Sequence, residues 1–155
     1  MPNMLENNHQ WVTILIAEDD DGHAELIREH LQDSGVSNSM IRFTNGQEIW
    51  NFLSRSGAGP HREIKQAYLL LLDIRMPKMD GVEVLRRIKA DAALRAMPVI
   101  MLTTTNDPRE VKECYDLGCN SYVTKPVNYQ QFSEALKRLG LFIMIIQVSP
   151  INNHG

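Results

Sequence analysis

Four strand-like runs in this chain each end on residues able to do polar chemistry. Val12 to Ala17 runs into Glu18-Asp19-Asp20-Asp21, Ala67 to Leu72 into Asp73, Pro98 to Leu102 into Thr103-Thr104-Thr105, and Ser121 to Thr124 into Lys125-Pro126. Glu18, Asp19 and Asp73, the Thr103 hydroxyl and the Lys125 ammonium are thereby candidates for one site. Carboxylates crowded together repel one another unless a cation shares the site. A hard cation that accepts a few carboxylates, keeps waters and bridges phosphate oxygens is Mg²⁺. The set suits phosphoryl transfer, whose transition state needs positioning and neutralisation of the equatorial oxygens more than covalent machinery. In that chemistry Asp73 is the nucleophile and carries a labile acyl phosphate, while Mg²⁺, Lys125 and Thr103 each take one phosphoryl oxygen.

These groups meet only if the runs lie side by side as parallel strands. Leu69 to Leu72 is apolar without alternation, as in a strand buried on both faces, and Met76-Pro77-Lys78-Met79-Asp80-Gly81 then turns the chain. Helical spacing fills the intervals. Ala24, Ile27 and Leu31 share a face after a cap at Asp20 or Asp21 and before Ser34-Gly35. Ile49, Phe52 and Leu53 follow a Thr44-x-x-Gln47 capping box, and Gly81 to Ala90 turns Val84, Leu85 and Ile88 inward and Arg86, Arg87 and Lys89 outward. Asp107-Pro108 starts a helix that Gly118 ends, and Asn128-x-x-Gln131 starts one carrying Phe132, Leu136 and Leu139 that Gly140 ends. Ser39 to Phe43 is a further short strand, and residues 54–66 read as a polar loop. The alternation predicts an α/β fold: a doubly wound, five-stranded parallel sheet with helices on both faces. In the order 2-1-3-4-5, strands one and three adjoin at the switch point, and ligands bind at the carboxyl ends.

Composition narrows the partners. The 155 residues suit one domain with a substantial core, and a formal charge of -3 gives no footprint for nucleic acid. Residues 1–10 are polar, without the apolar segment of a secretory signal, and the longest apolar run, Leu141 to Ile146, is too short to span a membrane. Cys114 and Cys119 have no metal-ligand spacing and read as reduced, buried thiols. His9, His23, His30, His61 and His154 lack zinc spacing and read as surface residues. A soluble, cytoplasmic protein with no nucleic-acid or membrane partner is expected.

At ILIAEDD (14–20), LLLLDIRMPKMDG (69–81), PVIMLTT (98–104) and SYVTKPV (121–127) the chain resembles the response-regulator receiver family. The strand order is part of what that resemblance implies. It further implies a phosphoacceptor at Asp73, metal ligation by Asp19, Asp73 and the Arg75 carbonyl with Glu18 acting through water, roles for Thr103 and Lys125, a cis Lys125-Pro126 bond and a switch aromatic at Tyr122. The resulting division is a flexible N-terminus (1–10), a receiver domain (11–140) and a C-terminal apolar arm (141–155). EDDDGHAELI (18–27), the long loop at 54–66, TTTNDPREV (103–111), CNSYVTKPVNYQQF (119–132) and the apolar tail resemble the small regulators that partner phytochrome-type histidine kinases. Those have a Phe-Trp pattern in the tail, where this chain has Phe142-Ile143. The resemblance implies a stand-alone regulator, not a conventional enzyme, with a histidine kinase as phosphodonor and a histidine phosphotransfer protein as an onward acceptor.

Two rival readings are weaker. A phosphatase of the haloacid dehalogenase type wants a second acid two residues after the nucleophile, where this chain has Arg75. A degenerate receiver acting only as an interaction module would have lost an acid, the threonine or the lysine, and none is missing. The tail poses a separate problem. Leu141, Phe142, Ile143, Ile145, Ile146 and Val148 must be covered, and their β-branched, aromatic character favours an extended strand. The expectation is an arm packing on a second copy to give a homodimer; folding back on its own domain is the alternative.

Overall fold

The computed structural model describes residues 12–126, 128–146 and 148–151. Strands β1 (Val12–Ala17), β2 (Met40–Phe43), β3 (Ala67–Leu72), β4 (Val99–Thr103) and β5 (Ser121–Thr124) form one parallel sheet in the order β2-β1-β3-β4-β5. They alternate with α1 (Asp21–Asp33), α2 (Gly46–Ser54), α3 (Gly81–Ala90), α4 (Pro108–Leu117) and α5 (Tyr129–Ile145). No helix among the described residues is long and apolar enough to cross a membrane.

The unbroken apolar run of β3 has a direct consequence. Successive side chains point to opposite faces, so a strand covered on both sides must be apolar throughout. Leu69 and Leu71 join Ile27 and Leu31 of α1 and Phe132, Leu136 and Leu139 of α5 in one core layer. Leu70 and Leu72 join Ile49, Phe52 and Leu53 of α2, Val84, Leu85 and Ile88 of α3, and Cys114 of α4 in the other.

The helix caps follow the sequence closely, with one shift. Asp20, Asp107 and Asn128 cap α1, α4 and α5, and Gly118, at φ 105°, closes α4 in the left-handed region. The cap of α2 is Asn45 rather than Thr44: its side chain accepts from Glu48 N at 2.9 Å, and the Glu48 carboxylate accepts from Thr44 N at 3.1 Å. The cap lies one residue later than predicted, with Glu48 as the third helical residue, while Gln47 donates to Asn51 Oδ1 at 2.8 Å. The loop after α2 is also less loose than its composition suggests. The buried Arg62 donates from Nε to Leu53 O at 2.8 Å, pinning that loop to the end of α2.

The C-terminal segment corrects the reading of the tail. Gly140 does not end α5, which continues through Ile145. A Cβ on Gly140 would lie 2.9 Å from Ser34 Cβ, so glycine is there to let α5 approach the end of α1. Leu141 to Ile145 is therefore helix and not an extended arm, and Ile143 faces the core. Ile146 and Val148 pack on the core layer beside α1 and α5. Ile151 is buried and is tied to the segment leading into β3: it donates to Gln66 O at 3.1 Å and accepts from Lys65 N at 3.0 Å. Folding back thus accounts for Ile143, Ile146, Val148 and Ile151. Leu141, Phe142 and Ile145 remain exposed, Ile145 at 75%.

Candidate functional site

The carboxyl ends of β1, β3, β4 and β5 carry the residues singled out in the sequence, and parallel pairing brings them together. One carboxylate oxygen from each of Glu18, Asp19 and Asp73 lies within 4.8 Å of the others. Asp19 is exposed, whereas Glu18, Asp73, Thr103 and Lys125 are each no more than 6% exposed. Lys125 is ion-paired with Glu18 and stands 3.4 Å from Asp73 Oδ2. Asp73 Oδ1 accepts from Ile74 N at 2.8 Å. Thr103 Oγ1 sits at the adjoining strand end, within 3.5 Å of Thr105 N.

The turn after Asp73 depends on Gly81. Its N–H donates to Ile74 O at 2.8 Å, and a Cβ there would lie 2.0 Å from the Asp73 carbonyl oxygen. Only glycine lets the start of α3 close against the backbone of Asp73. Lys78, at φ 70°, takes the left-handed conformation within the same turn.

The electrostatics leave room for a cation. Burial pushes the Glu18 carboxyl up to about 7, against the lowering effect of the Lys125 ammonium hydrogen-bonded to it. Three carboxylates face one ammonium, so the site keeps an excess of negative charge with oxygen donors only, the donor set of a hard divalent ion. The residues present fit such an ion.

Several contacts at the site had no sequence signal. His23 is not a free surface residue: its Nδ1 lies 3.7 Å from Glu18 Oε1 and 3.5 Å from Lys125 Nζ, and its ring meets Phe132 edge-on. Arg42 of β2 spans the β1–α1 turn from outside, contacting Glu18, Asp19 and Asp21. The Arg75 side chain turns to Glu110 of α4, at 3.0 Å, and Thr105 Oγ1 donates to the same carboxylate at 2.6 Å. Partners that lie 24, 35 and 102 residues away leave no local pattern to read.

One implied feature differs. The Lys125-Pro126 bond is trans, since no peptide bond among the described residues is cis; trans is the lower-energy isomer of an X–Pro bond by about 0.5–1 kcal/mol. Tyr122, the implied switch aromatic, stands half-buried on β5. It packs against the core, its hydroxyl donates to Thr105 O at 2.8 Å, and burial pushes that hydroxyl up to about 12.

A doubly wound sheet of this kind takes its ligand at the switch point, and here a buried aspartate, a paired lysine and an acid cluster line that crevice. The family model for the response regulator receiver domain matches residues 14–137, and the chain belongs to that family. Response regulator Rcp1 of Synechocystis sp. is 32% identical over 139 residues, covering 90% of this chain and 93% of Rcp1. The crystal structure of its Mn²⁺-bound form superposes with a TM-score of 0.78 at 29% identity, covering 88% of this chain and 97% of that one. A response regulator receiver domain from Rhodospirillum rubrum gives a TM-score of 0.85 at 42% identity, covering 91% and 99%. The bacteriophytochrome response regulator RtBRR gives 0.70 at 34% identity, covering 92% and 82%. This chain is a response-regulator receiver whose relatives include phytochrome-associated regulators.

Proposed function

We propose that the chain takes a phosphoryl group from a phosphohistidine onto Asp73. The observation that carries this is the position of the Asp73 carboxylate, 3.4 Å from Lys125 Nζ and within 4.8 Å of Glu18 and Asp19. An Asp73 oxygen forms the new bond to phosphorus as the phosphorus–nitrogen bond of the donor breaks, and the bonding pair leaves with the imidazole. Lys125 neutralises one phosphoryl oxygen and Thr103 donates its hydroxyl to another. Asp19, Asp73 and the Arg75 carbonyl, with Glu18 through water, would hold Mg²⁺, which supplies charge neutralisation at the phosphoryl group. The chain is an acceptor that promotes its own phosphorylation and hydrolysis, and not a conventional enzyme.

The donor is a histidine kinase, and the similarity to Rcp1 and RtBRR favours a phytochrome-type kinase in the cytoplasm. Movement of Thr103 toward the phosphoryl group alters the Thr105–Tyr122 contact, which changes the surface read by partners or by a histidine phosphotransfer protein. A homodimer is supported by Leu141, Phe142 and Ile145, exposed together near the end of α5.

Acetyl phosphate and Mg²⁺ test the reading on a gel that retards phosphoproteins. Wild type shifts, EDTA abolishes the shift, and Asp73→Asn does not shift. An undiminished shift in Asp73→Asn overturns the assignment.

A further inference from the structure

The β1–α1 turn carries two of the three clustered acids, Glu18 and Asp19, yet it has an arginine laid across its outer side. Arg42 stands on β2 in register with Ile16 of β1, and its guanidinium reaches past the strand end. Nε and Nη2 donate to Glu18 O at 3.1 and 2.9 Å, and Nη2 also donates to Asp19 O at 3.2 Å. Nη1 donates to Asp21 Oδ1 at 2.6 Å. The side chain is 22% exposed, so this is a partly buried fork fixed at every arm.

We propose that Arg42 is a positioning residue for the divalent-ion site, setting the backbone from which the Glu18 and Asp19 carboxylates hang. The inference rests on the reading of Glu18, Asp19 and Asp73 as that site. Lys125 already holds the buried Glu18 carboxylate, but the exposed Asp19 carboxylate would swing away under mutual repulsion if its backbone were free to move. The turn is fixed at Glu18 N, which donates to Phe43 O at 3.0 Å, and at Asp20, whose side chain caps α1 through His23 N at 2.8 Å. Between these points Asp20 N donates to Glu18 Oε1 at 3.2 Å, and the guanidinium holds the main-chain carbonyls of Glu18 and Asp19. A lysine offers a point charge and cannot span two carbonyls and a carboxylate with fixed geometry.

Charge and positioning predict opposite signs. By Coulomb's law a guanidinium beside a cation site weakens cation binding, so its removal tightens binding. A group that orders ligands in advance weakens binding when removed, and outer partners of metal ligands are worth roughly 10–100-fold in affinity.

Titration calorimetry with Mg²⁺ on the full chain separates them, with unfolding temperature in EDTA as the control for folding. The expected result is binding about tenfold weaker in Arg42→Gln. Arg42→Lys weakens binding too, although its charge is kept, and Asp21→Asn, which leaves the carbonyl contacts intact, stays near wild type. The Mg²⁺ concentration for half-maximal phosphorylation by acetyl phosphate rises in parallel, while the rate at saturating Mg²⁺ is preserved. Equal or tighter binding in Arg42→Gln, or wild-type affinity in Arg42→Lys, overturns the inference. Asp73→Asn is titrated alongside. If it binds Mg²⁺ as wild type does, or wild type does not bind, the site reading fails and the inference with it. If Asp73→Asn loses binding while the Arg42 variants keep it, the inference alone fails.

Discussion

Lys125 Nζ lies 3.4 Å from Asp73 Oδ2, although β5 and β3 are not neighbours in the sheet: β4 runs between them. The side chain of Lys125 crosses the end of β4 to reach Asp73, and the buried Thr103 stands at that crossing. The ammonium also pairs with Glu18, so one cation offsets two buried carboxylates.

Removing that cation leaves buried negative charge without a partner. Lys125→Met is expected to cost about 3 kcal/mol of stability in EDTA at neutral pH, with Mg²⁺ restoring part of the loss. Urea unfolding with and without Mg²⁺ measures both. Unchanged stability in EDTA contradicts the pairing.

Gly81 ties the fold to Asp73. The nearest atoms to an added Cβ are the Asp73 carbonyl oxygen at 2.0 Å, the Asp73 carbonyl carbon at 2.8 Å and Ile74 Cα at 2.9 Å, none of which is a flexible side chain. Gly81→Ala is expected to lose about 3 kcal/mol, at the upper end of overpacking penalties, and to slow phosphorylation of Asp73. Wild-type stability by urea unfolding sinks this account of the turn.

Division of labour in the tail is testable. Ile151 anchors the segment beside the residues leading into β3, and Ile151→Asp is expected to lower stability by roughly 2 kcal/mol or more through lost burial alone. Leu141→Asp with Ile145→Asp leaves the core intact and is expected to convert a dimer to a monomer by light scattering. A monomeric wild type at tens of micromolar, or a dimer unaffected by the double change, removes α5 as the dimer element.

The two thiols are expected to be chemically quiet. Burial pushes Cys114 up to about 12 and Cys119 upward as well. At pH 8 the Cys114 thiolate is then on the order of one part in ten thousand, and only the thiolate reacts. Labelling by iodoacetamide is predicted to take hours without denaturant and minutes with it. Equal rates in both conditions contradict the burial.

The site was legible because its chemistry sits where strand periodicity stops. Asp73 and Thr103 end apolar runs, Lys125 follows a short β-branched strand, and parallel pairing does the rest. Arg42 and His23 were not legible, since their roles depend on which loop lies beside them after folding. Gly140 was misread for a related reason. A glycine after a helical run ends a helix or admits a neighbour, and only the position of Ser34 decides between the two. The tail was misjudged because local β propensity gave way to packing on α1 and on the segment leading into β3.

The central claim is that Asp73 is the atom-level destination of the phosphoryl group. Borohydride reduces an acyl phosphate to an alcohol, converting the phosphorylated aspartate to homoserine, which mass spectrometry locates after digestion. After treatment with acetyl phosphate and Mg²⁺, homoserine is predicted at position 73 and nowhere else, and at no position when EDTA is present. Homoserine at Asp19 or another acid, with Asp73 unmodified, would contradict the account.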